Sequence, residues 1–207
     1  DNDVDAVKEN EMLSIDRWAL ASLDEVTDKV LAGYKAYDFQ AAYGALYNFC
    51  TVTLSARYFD IIKDRLYICS PRSFERRSAQ TALYRITDTL CRLLAPLLAF
   101  TADEAWESIP GQTVPSVHVA EFPQGTPASS RQTADAEQAA DDETGGVPLL
   151  RDWERIFTIR DEVLKALEEA RVAKQIGSSL EAKIVLTVDG DTARFLLDYF
   201  SQLRYIF

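Results

Sequence analysis

Residues 83–110 read LYRITDTLCRLLAPLLAFTADEAWESIP, and this stretch decides the class of fold. Its apolar residues recur at spacings of three and four, which predicts an amphipathic helix. Pro96 should end or kink that helix, because proline lacks the backbone N–H and its ring crowds the preceding turn. Thr101 stands three residues before Glu104, the spacing of a capping box. A second, short helix that reaches Ser108 is therefore predicted.

Two longer amphipathic segments precede this stretch. The first predicts a helix over residues 14–37, with Asp38 as its stop and as the cap of the next helix. The second predicts a helix over residues 39–67 that is buried on more than one side, because its apolar stripe is wide. The stripe consists of Tyr43, Leu46, Tyr47, Cys50, Leu54, Tyr58 and Ile61, flanked by Phe49 and Phe59. Together the segments predict a mainly α fold, with an antiparallel helical bundle over residues 1–123.

The composition changes after the bundle. Residues 124–147 are rich in Ala, Ser, Thr, Gln, Asp and Gly and have no apolar period, which predicts a flexible acidic loop or insertion. Residues 148–207 predict a helix that ends at a left-handed Gly177, a strand over residues 182–188, a turn at 189–190 and a helix over 192–203. This order predicts a small α+β unit. The apolar run LRYIF at its end predicts that the unit is truncated.

Composition limits the class of protein. The chain has 207 residues, of which 47% are hydrophobic, enough to bury a core. No apolar run approaches the roughly 18 residues that span a bilayer, and the first ten residues are too acidic and polar for a secretory signal. We therefore expect a cytoplasmic protein with no membrane partner.

The cysteines and the histidine argue against a metal site and against catalysis. Cys50, Cys69 and Cys91 are far apart, and His118 is the one histidine, so neither a disulfide framework nor a zinc cage follows from the spacing. No Ser or Cys nucleophile motif accompanies His118, which lies among apolar residues as a structural histidine would. We expect no catalytic residues and no bound metal, and hence no enzymatic activity in this chain alone.

The charge distribution leaves room for a nucleic-acid partner. The formal net charge of −11 opposes binding to phosphates. However, residues 111–150 hold one arginine against six carboxylates, whereas residues 57–92 hold eight basic residues against four acidic ones. A local basic patch can bind RNA on an acidic protein.

Candidate RNA-binding residues follow one helical face and the start of the next helix. Arg57, Lys63 and Tyr67 lie on a polar face that ends in an aromatic, and single-stranded bases stack on aromatics while Lys and Arg bind phosphates. The alternative is that pairs such as Asp60 with Lys63 are ion pairs that brace the bundle.

Three arginines begin the third helix. Arg72, Arg76 and Arg77 stand where cations oppose the helix dipole, which favours a role toward a partner. The alternative is that they are solvated or pair with Glu75 and Asp88.

Lys174 precedes a turn of Gly and Ser at residues 177–179 that is rich in hydrogen-bond donors and could contact phosphate. Ordinary helix capping is the alternative there. Two classes of function stay open on the residues alone: an RNA-binding module, and a helical scaffold that binds protein. Binding to RNA should weaken steeply with salt, whereas a largely apolar protein interface should not.

Seven motifs carry a resemblance that covers nearly the whole chain apart from the loop. They are IDRWAL at 15–20, ALYNFC at 45–50, LSARYFDIIKDRLY at 54–67, RRSAQT at 76–81, LLAPLLAFTADEAW at 93–106, SVHVAEFP at 116–123 and IGSSLEAKI at 176–184. In these motifs the chain resembles the anticodon-binding region of the isoleucyl-tRNA synthetases, which are class I aminoacyl-tRNA synthetases. The synthetases for valine, leucine and methionine share the bundle, and KDRLY, RRSAQT and SVH favour isoleucine.

The resemblance implies a fragment of a larger ligase. Such a module would bind the anticodon arm of isoleucine tRNA and would pack against the remaining domains of its synthetase. Neither an HIGH nor a KMSKS signature occurs in the chain. ATP, magnesium and zinc are therefore expected only for the full-length enzyme, and no cofactor is expected for this fragment.

Overall fold

A computed structural model describes residues 6–124, 146–178 and 181–206. The chain divides into two compact units, Asp1–Leu150 and Arg151–Phe207. The predicted acidic loop lies almost entirely within residues 125–145, outside the described ranges. Its structure and the predicted domain boundaries around it therefore stay predictions.

The first unit is a bundle of helices. They are α1 (Ser14–Lys35), α2 (Phe39–Asn48), α3 (Phe59–Tyr67), α4 (Phe74–Leu94) and α5 (Ala99–Glu107). A π-helical segment, Phe49–Tyr58, joins α2 to α3 without a break. Short 3₁₀ turns, Glu9–Glu11 and Val117–Val119, stand before α1 and after α5. The helix predicted over residues 39–67 is thus continuous, although its middle has i→i+5 hydrogen bonds.

Successive helices run in opposite directions. The start of α1 meets the end of α3 through Asp16 and Arg65, and the end of α1 meets the end of α4, where the Tyr34 hydroxyl donates to the Leu93 carbonyl at 2.6 Å. Helix α1 packs against α2 and α4, while α3 and α5 each pack against α4. The predicted antiparallel helical bundle is confirmed.

The turn between α1 and α2 is tight. Tyr37 has a φ of 57°, and the Asp38 N–H donates to the Gly33 carbonyl at 2.8 Å, which closes α1 in a Schellman motif. The Asp38 carboxylate then accepts from the Ala41 N–H at 2.9 Å and caps α2. A side chain at Gly33 would come within 3.0 Å of the Asp38 carbonyl, so glycine permits this close approach. The predicted roles of Asp38 as stop and cap are confirmed.

The predicted capping box at Thr101 is wrong. Helix α4 does end before Pro96, as predicted, but α5 already begins at Ala99. The Leu98 carbonyl accepts from the Ala102 N–H at 2.8 Å, and no side chain caps this helix. The chain reverses within four residues after Leu94, which places Thr101 inside the first turn of α5.

A separate cluster of buried side chains packs α5 and the segment that follows it against α4. Trp106 is buried with Cys91 and Val117, and its indole N–H donates to the Val114 carbonyl at 3.1 Å. The Asp103 carboxylate accepts from the Ser116 hydroxyl at 2.6 Å and from the Val117 N–H at 3.0 Å. These hydrogen bonds lower the pKa of Asp103 below its usual value.

The prediction that residues 39–67 are buried on more than one side fails in α2. Tyr43 and Tyr47 are each 58% exposed, whereas Ala42, Leu46 and Phe49 form the buried face. The rings of Tyr43 and Tyr47 lie 5.9 Å apart along the outside of the helix. Because tyrosine is amphipathic, its place in an apolar pattern does not decide whether it is buried.

The second unit is helical in its described part. Its helices are α6 (Gly146–Val172), which begins at the end of the first unit, α7 (Gly190–Asp198) and α8 (Phe200–Ile206). Trp153 is buried and packs against Phe157 and Tyr199, and the Tyr199 hydroxyl donates to Asp152 at 2.8 Å. Arg160 donates to the Ile206 carbonyl at 2.8 Å.

Three predictions for this unit are wrong. Residues 182–188 form no strand, and Val185 is 73% exposed. A strand needs a neighbour for its backbone groups, and no described segment pairs with this one. Helix α6 ends earlier than predicted, with Lys174 rather than Gly177 in the left-handed conformation at φ 58°. The turn predicted at 189–190 instead starts α7, because the Asp189 carboxylate accepts from the Thr192 N–H at 2.8 Å.

Within the described ranges, no helix is both long enough and apolar enough to cross a membrane.

Candidate RNA-binding surface

The connection between α3 and α4 presents an aromatic ring and a cation to solvent. Tyr67 is the last residue of α3 and is 85% exposed. Arg72 is exposed in the turn that follows. Ser73 then caps α4 by accepting from the Arg76 N–H at 3.3 Å. Tyr67 and Arg72 therefore lie at the same end of the bundle.

Two further arginines lie in the first turn of α4. The Arg76 guanidinium donates to the Cys69 carbonyl at 3.3 Å, and the Arg77 guanidinium donates to Gln80 at 3.0 Å. Both side chains are half-buried. The Arg76 Nε is buried without a hydrogen-bond partner among the described residues. The Cys69 contact directs Arg76 back toward the connection that carries Tyr67 and Arg72.

Lys63 lies one turn before Tyr67 on α3. Its ammonium group contacts the Asp60 carboxylate at 2.7 Å, and the two side chains are 56% and 40% exposed. The ion pair considered as the alternative is therefore present. Exposed pairs at this spacing contribute only about 0.2–0.5 kcal/mol, so Lys63 can exchange Asp60 for a phosphate at little cost. We name Lys63, Tyr67, Arg72, Arg76 and Arg77 the connection surface.

A network of buried polar side chains lies beneath the connection surface. The Arg65 guanidinium contacts the Asp16 carboxylate at 2.6 Å and donates to the Glu75 carbonyl at 3.1 Å. Asp16 also accepts from the Tyr58 hydroxyl at 2.8 Å and from Ser78. Arg65 and Asp16 are 1% and 0% exposed, respectively. The network joins the start of α1 to the end of α3 and to the first turn of α4.

The network keeps Tyr58 protonated. Burial raises the pKa of Tyr58 well above its usual value, and the neighbouring Asp16 carboxylate raises it further, against the opposing effect of Arg65. Tyr58 therefore stays a hydrogen-bond donor to Asp16.

The sequence contained a signal for this network that the helical pattern alone did not bring out. Asp16 precedes Ala19, Leu20 and Leu23 at spacings of three, four and seven, and all three are buried. A carboxylate on the buried face of a helix requires a cationic or hydrogen-bonding partner. Its partner Arg65 is 49 residues away, a contact that only the folded chain brings together.

Three basic residues outside the connection surface are held in ion pairs. Of the basic residues in 57–92, Arg65 is paired with Asp16 in the core, while Arg85 contacts Glu9 at 2.6 Å and Arg92 contacts Asp88 at 3.0 Å. The basic excess of residues 57–92 is thus smaller than the residue count indicates, because Asp16 and Glu9 come from outside this stretch.

Two further predicted site residues are outside the stretch that forms the connection surface. Arg57 is half-buried in the π-helical segment, whose i→i+5 bonding shifts the angular spacing of its side chains relative to α3. Lys174 is exposed and belongs to the second unit. Their contact with RNA stays a prediction.

No group of three or more potential metal ligands occurs within the described ranges. Cys50 and Cys69 are half-buried free thiols and Cys91 is buried. Burial raises the pKa of Cys50 and of Cys91, which disfavours their reactive thiolate forms.

Comparison with known proteins identifies the family. Residues 16–186 match the model of the anticodon-binding domain of tRNA ligases. The isoleucine–tRNA ligase of Desulforudis audaxviator is 43% identical over 209 residues, which cover 100% of this chain and 21% of the ligase. The corresponding ligase of Syntrophotalea carbinolica is 42% identical over 98% of this chain and 20% of its own length. The isoleucine–tRNA ligase of Coxiella burnetii is 37% identical over 98% of this chain and 20% of its own length.

The chain therefore spans about a fifth of the length of the ligases that it matches. The family model covers most of both units, including the connection surface. A helical bundle with an exposed aromatic ring and clustered cations fits a domain that contacts single-stranded RNA. The chain belongs to the anticodon-binding domain family of tRNA ligases.

Proposed function

We propose that this chain is the anticodon-arm-binding module of an isoleucine–tRNA ligase. The observation that carries the proposal is the connection surface, placed on a domain of the anticodon-binding family. The relatives' names supply the amino acid, isoleucine. The chain serves tRNA selection, and the ATP-dependent aminoacylation, with its Mg²⁺ and any zinc, belongs to other parts of a longer cytoplasmic ligase.

The connection surface suits an unpaired anticodon loop. A splayed base stacks on the exposed ring of Tyr67, while Lys63 and Arg72 contact the phosphates on either side. Arg76 and Arg77 extend the positive charge along the first turn of α4. The guanidinium groups also offer planar forks for phosphate oxygens.

Binding of isoleucine tRNA, with its native or an altered anticodon, tests the proposal directly. We expect a preference for the native anticodon. Tyr67→Ala should weaken binding by about tenfold, within the roughly 1–3 kcal/mol attributed to one stacked base. Arg72→Glu should weaken it by a similar factor of about ten at low salt and by less at high salt.

Lys29→Glu is the matched control. Lys29 lies on α1, is 68% exposed and forms an exposed ion pair with Glu25. The charge change equals that of Arg72→Glu, so equal losses in the two variants would show a nonspecific charge effect and contradict the proposed surface. Failure of the chain to bind either RNA would contradict the proposal itself.

Salt dependence separates this function from a helical scaffold that binds protein. For single-stranded contacts, the logarithm of the affinity should fall with the logarithm of the salt concentration with a slope of roughly −0.7 per phosphate contact. A flat response would favour the scaffold instead.

A further inference from the structure

The buried guanidinium of Arg65 makes two kinds of contact. It pairs with the Asp16 carboxylate in a bidentate manner, with Nη1 at 3.1 Å from Oδ1 and Nη2 at 2.6 Å from Oδ2. The same guanidinium donates from Nε, at 3.1 Å, and from Nη2 to the backbone carbonyl of Glu75 in the first turn of α4. Arg65 therefore joins the end of α3 directly to the start of α4.

The contact with Glu75 is not needed to satisfy a buried polar group. A carbonyl in the first turn of an α-helix accepts from the N–H four residues later, so it has a partner without Arg65. Stability alone does not favour a buried ion pair either, because the cost of desolvating two charges often equals or exceeds their attraction. What the contact supplies is geometry, since it fixes the distance between the two helix ends.

The segment that links these helix ends, residues 68–73, lies outside the core. None of its residues is buried, and Ile68 is 78% exposed. The Arg76 guanidinium reaches back to the Cys69 carbonyl in the middle of the segment. Because apolar packing does not hold residues 68–73, hydrogen bonds and the positions of the two ends set their course.

The Arg65 side chain and the backbone from 65 to 75 form a closed ring. Tyr67 and Arg72 lie within this ring, and Arg76 follows directly after it. A shift of α4 relative to α3 would change the spacing between the exposed ring of Tyr67 and the arginines. RNA must contact these groups at the same time, so their spacing decides how well they bind it.

We propose that Arg65 is a positioning residue for RNA binding, which holds residues 68–73 in the shape that presents Tyr67 and Arg72 together. This inference rests on the proposed function, in which the connection surface binds the anticodon arm. Arg65 itself is 1% exposed and acts from beneath the surface. A segment that is already fixed before RNA arrives loses less conformational freedom on binding, which raises the affinity.

The variant Arg65→Lys separates positioning from stability. Lysine keeps a positive charge beside Asp16 but lacks the planar fork that reaches Asp16 and the Glu75 carbonyl together. We expect the affinity of the 207-residue chain for isoleucine tRNA to fall about tenfold, the effect of ordering one or two side chains on binding. If Arg65 acted on stability alone, a variant that circular dichroism shows to be folded would keep its affinity, because nearly all of its molecules would be native.

The matched control is Tyr58→Phe. It removes the hydroxyl that donates to Asp16 and leaves the contact of Arg65 with Glu75 in place. We expect a lower free energy of unfolding and an unchanged affinity for the tRNA.

Hydrogen exchange in the free chain is a readout that needs no RNA. The Ile68 N–H donates to the Asp64 carbonyl at 2.9 Å, and the Ser73 N–H donates to the Ser70 carbonyl at 3.0 Å. These two amides should exchange faster in Arg65→Lys and at the original rate in the Tyr58 variant.

A double variant covers the case in which Arg65→Lys does not fold. Asp16→Asn combined with Arg65→Met removes both charges, so neither stays buried without a partner, and the new amide still offers an oxygen to the hydroxyls of Tyr58 and Ser78. It should also bind the tRNA about tenfold more weakly. The slope of its affinity against salt should be unchanged, because no phosphate contact is lost.

Defined outcomes would overturn the proposal. Unchanged affinity in a folded Arg65 variant would do so, even if hydrogen exchange became faster. An equal loss of affinity in Tyr58→Phe would show that binding follows the stability of the whole network. A salt slope shallower by about one phosphate contact in the double variant would show that Arg65 contacts RNA directly.

Tyr67→Ala distinguishes failure of this inference from failure of the proposed function. If Tyr67→Ala leaves the affinity unchanged, the connection surface is wrong, and the role of Arg65 in RNA binding falls with it. A loss of affinity in Tyr67→Ala without one in the Arg65 variants would contradict the positioning role alone.

Discussion

At the scale of single residues, the pair of Asp16 and Arg65 controls the stability of the bundle beneath the connection surface. Arg65→Met would leave the Asp16 carboxylate buried without its cation. We expect a loss of about 3–5 kcal/mol in the free energy of unfolding, the cost of breaking a buried ion pair from one side. Urea unfolding of the chain, followed by circular dichroism, measures it.

Lys63→Met is the control for this prediction. It removes an equal charge from the same helix, but from a pair that is exposed to solvent. Its effect should stay below about 1 kcal/mol. If both variants lost a similar free energy of unfolding, the burial of Arg65 would contribute nothing to stability beyond the effect of its charge.

At the scale of elements, the turn between α1 and α2 stores backbone strain at Tyr37. The left-handed conformation at φ 57° costs a residue with a Cβ about 1–2 kcal/mol. Tyr37→Gly removes this strain but adds about 0.5–1 kcal/mol of entropy to the unfolded chain. We expect a net gain of about 0.5–1 kcal/mol in the free energy of unfolding.

Tyr37→Ala separates the backbone from the side chain. Alanine keeps the strain and loses only a ring that is 82% exposed, so the stability of the 207-residue chain should change little. A gain in Tyr37→Ala equal to that in Tyr37→Gly would assign the strain to the ring instead of to the backbone.

At the scale of the whole molecule, the negative net charge opposes the proposed function. Residues 125–145 carry five carboxylates and one arginine, so their deletion changes the formal net charge from −11 to −7. We expect the deletion to strengthen tRNA binding by about threefold at low salt, and by less at high salt, because a negative field repels the RNA. The melting temperature should be unchanged, which thermal unfolding checks.

A loop of the same length without carboxylates is the control for the deletion. Replacement of the five carboxylates by Asn or Gln should reproduce the gain in affinity. If only the deletion increases affinity, the length of the segment matters and its charge does not. A large fall in melting temperature on deletion would contradict the expectation that the segment is dispensable for folding.

The sequence pattern was enough to predict the helices of the bundle, but it was not enough to predict which of their faces are exposed to solvent. The stop at Asp38 and the end of α4 before Pro96 follow from local chemistry, because capping and the missing proline N–H act within a few residues. Tyr43 and Tyr47 matched the apolar pattern and yet face solvent. Arg65 was counted with the basic residues and is in the core, because its partner Asp16 comes from a distant helix.

What the sequence by itself determined was the family, the helical class and the bounds of most helices, since periodicity and motif identity are properties of neighbouring residues. Only the tertiary structure decided which charges are available for a partner. Burial and pairing depend on contacts across the fold, such as the contact of Arg65 with Asp16 and that of Arg85 with Glu9. The same physical reason holds for residues 182–188, where an alternating pattern formed no strand because no described segment pairs with it.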